Sequence, residues 1–102
     1  MLFDWDDDKR EKTLRERGID FIDAALIWDD PRRQERTDHR FNYGEARIQT
    51  IGRVSFGILL VVYTERVNED GQDVVRIISA RMASKKERQE YESHTFHLRR
   101  IV

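Results

Sequence analysis

Two apolar runs decide the fold: Phe56-Gly57-Ile58-Leu59-Leu60-Val61-Val62-Tyr63-Thr64-Glu65-Arg66 and Val74-Val75-Arg76-Ile77-Ile78-Ser79-Ala80-Arg81. Both are short and rich in β-branched residues, which suits strands better than helices of that length. Between them Asn68-Glu69-Asp70-Gly71-Gln72 supplies a glycine-containing turn, so the runs are expected to pair as an antiparallel hairpin. Residues 58–62 are apolar on both faces, the pattern of a central strand covered on both sides. The second run breaks that pattern at Arg76 and Ser79, and it ends on Arg81. An arginine inside an apolar strand must reach water, a carboxylate or a bound anion, because burying an unpaired charge is too costly.

Upstream of the hairpin, Glu45-Ala46-Arg47-Ile48-Gln49-Thr50-Ile51-Gly52 alternates, with Ala46, Ile48 and Thr50 on one face and Glu45, Arg47 and Gln49 on the other. A turn over residues 52–55 should join it to the hairpin. Residues 32–44 are polar, with a short strand expected around residues 33–36 and a loop holding His39 after it. At the start of the chain, Phe3-Asp4-Trp5 reads as an edge strand and Asp6 as the N-cap of a helix with Asp7 and Asp8 in its first turn. Gly18 fits a left-handed helix ending, with Ile19 against Leu14. Asp20 caps a second helix, in which Phe21, Ala24, Ala25 and Trp28 form a buried stripe and Asp29-Asp30-Pro31 a stop. Downstream, Ser84-Lys85-Lys86-Glu87 is a capping box that opens a helix through about Glu92. The expected fold is a small α+β domain over residues 1–92. Its N-terminal helices pack on an antiparallel sheet of three to four strands, with a C-terminal helix and a tail, residues 93–102, of no assigned structure.

With 102 residues, 38% of them apolar and 38% charged, the chain is one domain with a lean core. The absence of cysteine excludes disulfides and thiolate metal sites. No stretch approaches the ~20 apolar residues of a membrane span and the N-terminus is no signal peptide, so a cytoplasmic protein is the default expectation. The net charge of −1 conceals sorting: residues 1–31 carry ten acids and five bases, whereas residues 32–102 carry fourteen bases and ten acids. Such sorting suits either two solvated faces or an encounter with a phosphate backbone. There is no phosphate-binding glycine loop, nucleophile elbow or internal repeat. His94 and His97 lack a carboxylate or cysteine at ligand spacing, so neither a metal site nor a cofactor is expected.

The run Phe3-Asp4-Trp5-Asp6 with Lys9, then Leu14-Arg15-Glu16-Arg17-Gly18-Ile19, Asp29-Asp30-Pro31, Glu45-Ala46-Arg47, Val61-Val62-Tyr63-Thr64-Glu65-Arg66, Arg76-Ile77-Ile78-Ser79-Ala80-Arg81 and Glu87-Arg88 with Tyr91-Glu92 resembles the BrnT family of bacterial toxins. The similarity spans roughly residues 3–92, and Arg76–Arg81 followed by a basic capped helix is its most specific piece. The resemblance implies a RelE-like fold (the RelE/ParE group), ribonuclease activity, and neutralisation by a BrnA-like antitoxin. The neutralised complex is expected to dimerise and to bind operator DNA through that antitoxin.

Cleavage of RNA by its own ribose 2′-OH requires a held phosphate, stabilised charge and two proton transfers. Arginine suits the first two tasks, since its fork grips phosphate oxygens bidentately and stays charged. Arg66, Arg76 and Arg81, with Arg47 from the preceding strand, are therefore the expected phosphate ligands. Lys85, Lys86 and Arg88 are the expected RNA-binding additions. Glu45, His39 and Tyr91 are the candidates for proton transfer, and Tyr91 also for stacking on a base. Salt bridges from Arg47 or Arg76 to Glu45 or Glu65 are the competing structural role. A non-catalytic module with a basic sheet face, binding protein or nucleic acid, is the alternative function.

Overall fold

The computed structural model describes residues 1–38 and 44–98. The strands are β1 (Leu2–Trp5), β2 (Gln34–Asp38), β3 (Arg47–Val54), β4 (Gly57–Val67) and β5 (Asp73–Met82). Helices α1 (Asp7–Arg17) and α2 (Phe21–Ala24) precede β2, and α3 (Lys85–Glu92) follows β5. The sheet order is β1-β5-β4-β3-β2, so β4 is the central strand. Five strands replace the expected three to four, because the segment around residues 33–36 and Leu2–Trp5 both join the sheet. The sheet is also mixed: β1 runs parallel to β5, with Asp4 beside Arg76 and Trp5 beside Ile77.

Residues 58–61 are buried because they feed two cores in alternation. On one face, Leu59, Val61 and Tyr63 meet Ile19, Phe21, Ala24 and Ile27 of the helical layer. Edge-to-face contacts of Phe3 with Trp28 and of Trp28 with Tyr63, both at 5.1 Å between centroids, extend this core to β1. On the other face, Ile58, Leu60 and Ile51 pack with Ala83, Tyr91 and Phe96. The second helix differs in detail from its expected stripe. It tightens after Ala24 into a 3₁₀ turn, Ala25–Asp29, and burial falls at Phe21, Ala24 and Ile27. The three-residue spacing is that of 3₁₀ geometry, which eclipses i and i+3. Gly52 permits this approach, since a Cβ there would stand 2.7 Å from Ile27 Cβ.

Helix α1 has no buried residue. Its N-cap Asp6 accepts from the Lys9 amide at 3.1 Å, and Gly18 ends it at φ +70°. Ile19 is buried in the main core while Leu14 stays half-exposed, so burial of Ile19 owes more to the core than to the helix ending. Polar contacts fasten α1 instead: Arg10 grips Asp20 through Nε and Nη2 at 2.8 and 3.1 Å, and Arg17 Nη1 donates to the Ala80 carbonyl at 2.9 Å. The α3 capping box is present, with Ser84 and Glu87 bonding each other's amides. Past α3 the chain makes another 3₁₀ turn, Phe96–Leu98, and Phe96 is fully buried.

Candidate active site

A β-bulge builds the site. Val62 pairs with Ser79, yet Tyr63 pairs with Ile77, so Ile78 is the extra residue on β5. Without it, Arg76 and Arg81, five positions apart, would project from opposite faces. The bulge restores Arg76 to the face that carries Ser79 and Arg81, and turns Ile77 into the main core, where it is 1% exposed. Arg76 thereby sits beside Thr64 on β4 and Asp4 on β1. On the far side of Thr64 comes Arg47, itself paired with Asp38.

Arg47, Arg66 and Arg76 converge with Glu45 on a cleft of about 150 Å³ that α3 leaves uncovered. Arg66 Nη2 is 3.3 Å from Glu45 Oε2, Arg47 Nη2 is 3.9 Å from Glu45 Oε1, and Arg76 Nη1 is 3.3 Å from Asp4 Oδ1. These separations exceed the 2.7–2.9 Å of a strong charge-assisted bond. An RNA phosphodiester, whose two unesterified oxygens share one charge and match the bidentate guanidinium fork, can compete for such donors. Asp6 and Lys9 complete the rim. Sequence reasoning did not single them out as site residues. The only available signal was local, an N-cap with its partner three residues on, and only the parallel pairing of β1 with β5 brings that helix start to Arg76.

The other expected site residues lie elsewhere. Arg81 is about 15 Å from Arg76 by strand rise, and it holds Glu87 with two bonds of 2.7 and 2.9 Å. Burial alone would raise the Glu87 carboxyl, but Arg81 and the Ser84 amide outweigh it and bring the pKa down to about 2. Tyr91 is 2% exposed. Its hydroxyl donates to Asp30 Oδ2 at 2.6 Å, and Arg32 and Arg53 each stand 5.7 Å from its ring. Burial first, then the bond to Asp30, pushes the Tyr91 hydroxyl above its ordinary range. Lys85 and Lys86 are exposed on the first turn of α3, and Arg88 Nη1 donates to the Ala83 carbonyl at 3.1 Å. None of these lines the cleft. His39 lies outside the described residues. His97 Nδ1 is 3.0 Å from Gln34 Oε1, and the described residues contain no group of three or more metal-ligating side chains placed to hold an ion.

The Arg81–Glu87 pair allows a direct check of its role. Arg81→Ala is expected to destabilise the protein by ~1 kcal/mol at pH 7, a screened value because Arg81 is 43% exposed. Glu87 is depressed from 4.5 to about 2 in the fold, so its contribution is complete above pH 4.5 and fades as pH falls through about 2. The difference in melting temperature between parent and variant should therefore shrink on acidification. If the folded variant loses RNA cleavage as well, Arg81 belongs to the site after all.

The model of the family described as ribonuclease toxin, BrnT, of type II toxin–antitoxin systems matches residues 5–87, most of the chain. The chain belongs to the BrnT family. No curated protein matches it. The BrnT match begins at Trp5, at the end of β1, and closes at Glu87, the capping-box residue held by Arg81. It therefore includes Asp6, Lys9, Glu45, Arg47, Arg66 and Arg76. Membership in BrnT, a type II family, implies a protein antitoxin as partner. No helix among the described residues is long and apolar enough to cross a membrane.

Proposed function

We propose that this BrnT protein is an endoribonuclease whose reaction centre is the cleft of Arg47, Arg66 and Arg76. The observation that carries this reading is the meeting of three guanidiniums and the Glu45 carboxylate at one cleft, with the Arg66–Glu45 and Arg76–Asp4 ion pairs at 3.3 Å rather than closed tightly. An RNA phosphodiester displaces those contacts and takes up the arginine forks. Glu45 accepts the proton of the 2′-OH as its oxygen attacks the adjacent phosphorus. The pentavalent transition state gathers negative charge on the phosphoryl oxygens, which fixed guanidiniums stabilise without reorganising. The bond to the 5′-oxygen breaks, Lys9 supplies its proton, and the products are a 2′,3′-cyclic phosphate and a 5′-OH. Arginine supplies the charge neutralisation in this scheme, so the reaction proceeds without a divalent ion.

A BrnA-like antitoxin neutralises the enzyme by covering the cleft, and the paired complex, as a dimer, binds operator DNA through the antitoxin. The RelE-like character of the fold belongs to the same family reading, as does action on cytoplasmic RNA with arrest of translation and growth. Purified protein is expected to cut a single-stranded RNA in the presence of EDTA, leaving cyclic-phosphate ends. A single 2′-deoxy substitution at the cut step should block it. Products carrying 5′-phosphates, or cleavage that appears only with added metal, contradict the mechanism. Binding of RNA without any cleavage makes the chain a non-catalytic module instead.

A further inference from the structure

Beside the arginine cleft lies a second groove, of about 160 Å³, between α1 and the bulged part of β5. It exists because β1 pairs with β5 only as far as Ile77, so that α1 rather than a strand flanks the rest of that edge. Lys9, Lys12, Thr13, Glu16 and Arg17 line it from one stripe of α1, at i, i+3, i+4, i+7 and i+8. Ser79 and Ile78 line it from β5, and Lys9 and Ile78 border both depressions, which therefore lie side by side. This stripe does not serve the core, because α1 buries no residue. Three bases face one acid there, with two hydroxyls between them. Arg17 is already committed to the Ala80 carbonyl and Lys9 also borders the arginine cleft, so Lys12 is the lining cation that serves this groove alone.

We propose that this groove is a second RNA subsite, which holds the phosphodiester next to the one that is cut. The inference rests on the cleavage reading of the arginine cleft and names the substrate class it takes: single-stranded RNA longer than a dinucleotide. The chemistry fits backbone rather than base. Lysine acts on phosphate as a point charge, and Thr13 and Ser79 offer hydroxyl donors. The lining has no aromatic ring on which a base could stack. An 11-residue helix is about 16 Å long, enough to follow the strand past one nucleotide. The subsite therefore adds affinity without sequence preference.

The test compares parent, Lys12→Ala and Lys12→Glu on a dinucleoside monophosphate and on an eight-nucleotide RNA containing the same cut step. Lys12 is exposed, and melting temperatures confirm that each variant folds. The expected result is a loss of about tenfold in kcat/KM on the octamer for Lys12→Ala, a larger loss for Lys12→Glu, and no change on the dinucleotide. Binding of a 2′-O-methyl octamer, which cannot be cut, should show a log–log salt slope shallower by about 0.7 in Lys12→Ala. Equal losses on both substrates, or an unchanged octamer rate and slope, overturn the subsite. If the parent cuts neither RNA, the cleavage reading fails, and the binding slope alone still decides whether Lys12 meets the backbone.

Discussion

Arg76→Ala is expected to lower kcat/KM for RNA by about 10²–10³-fold, the usual cost of removing one donor aimed at charge that develops in the transition state. Stability should change by no more than about 1 kcal/mol. Arg76 is a partly exposed strand residue whose ion-pair partner, Asp4, is 51% exposed, so the pair is worth little to the fold. The variant therefore separates catalysis from folding. Arg76→Lys is the sharper form of the experiment. It keeps the charge and loses the planar fork, so RNA binding should survive while the cleavage rate falls by tenfold or more. Melting temperature, RNA affinity and single-turnover rate, measured on each variant, decide the matter. Folded Arg76→Ala protein that cuts at the parental rate removes the cleft from the reaction.

Phe96→Ala should destabilise the protein by about 3–5 kcal/mol, the range for emptying a fully buried aromatic site. Phe96 is 0% exposed and closes the second core with Ile51, Ile58, Leu60, Ala83 and Tyr91. The Arg36 guanidinium lies 3.9 Å from its ring centroid while bonding Gln49 Oε1 through Nε and Nη2 at 3.2 and 3.1 Å. Removing the ring thus opens a cavity and also uncovers a network of polar side chains. A small domain has about 5–15 kcal/mol in hand, so truncation after Glu92 should leave little folded protein at 37 °C. Urea midpoints at constant m-value measure the loss. An unchanged midpoint means that the second core closes without the tail.

Much of the fold was legible because its signals are local. The Asp6, Asp20 and Ser84 caps bond amides two or three residues away, and Gly18 supplies the left-handed ending by itself. The β4–β5 hairpin was equally legible: Asn68 accepts from the Asp70 and Gln72 amides, and Gly71 takes a positive φ within the same turn. The tail was not, since nothing local to Phe96 reveals that a core awaits it. Arginine types and their rough location in the chain were also readable, yet their partners were not. Arg81 and Arg76 look alike in sequence. One closes on Glu87 at 2.7 Å, and the other meets its carboxylate at 3.3 Å across a parallel strand pair.

The sequence by itself determined the hairpin at the centre, the capped helices, the apolar faces of β4 and a strand whose arginines must reach water, a carboxylate or a bound anion. The tertiary structure alone decided which arginines share a cleft. A strand's side chains alternate with period two, so residues 76 and 81 belong to opposite faces until a bulge intervenes, and nothing local to Ile78 announces one. It also decided that β1 joins β5 in parallel, a long-range pairing set by the packing of Phe3 and Trp5 on the helical core. That pairing carries Lys9 to the cleft. Physical proximity between residue 9 and residue 76 is a property of the closed sheet, and no stretch of the chain contains it.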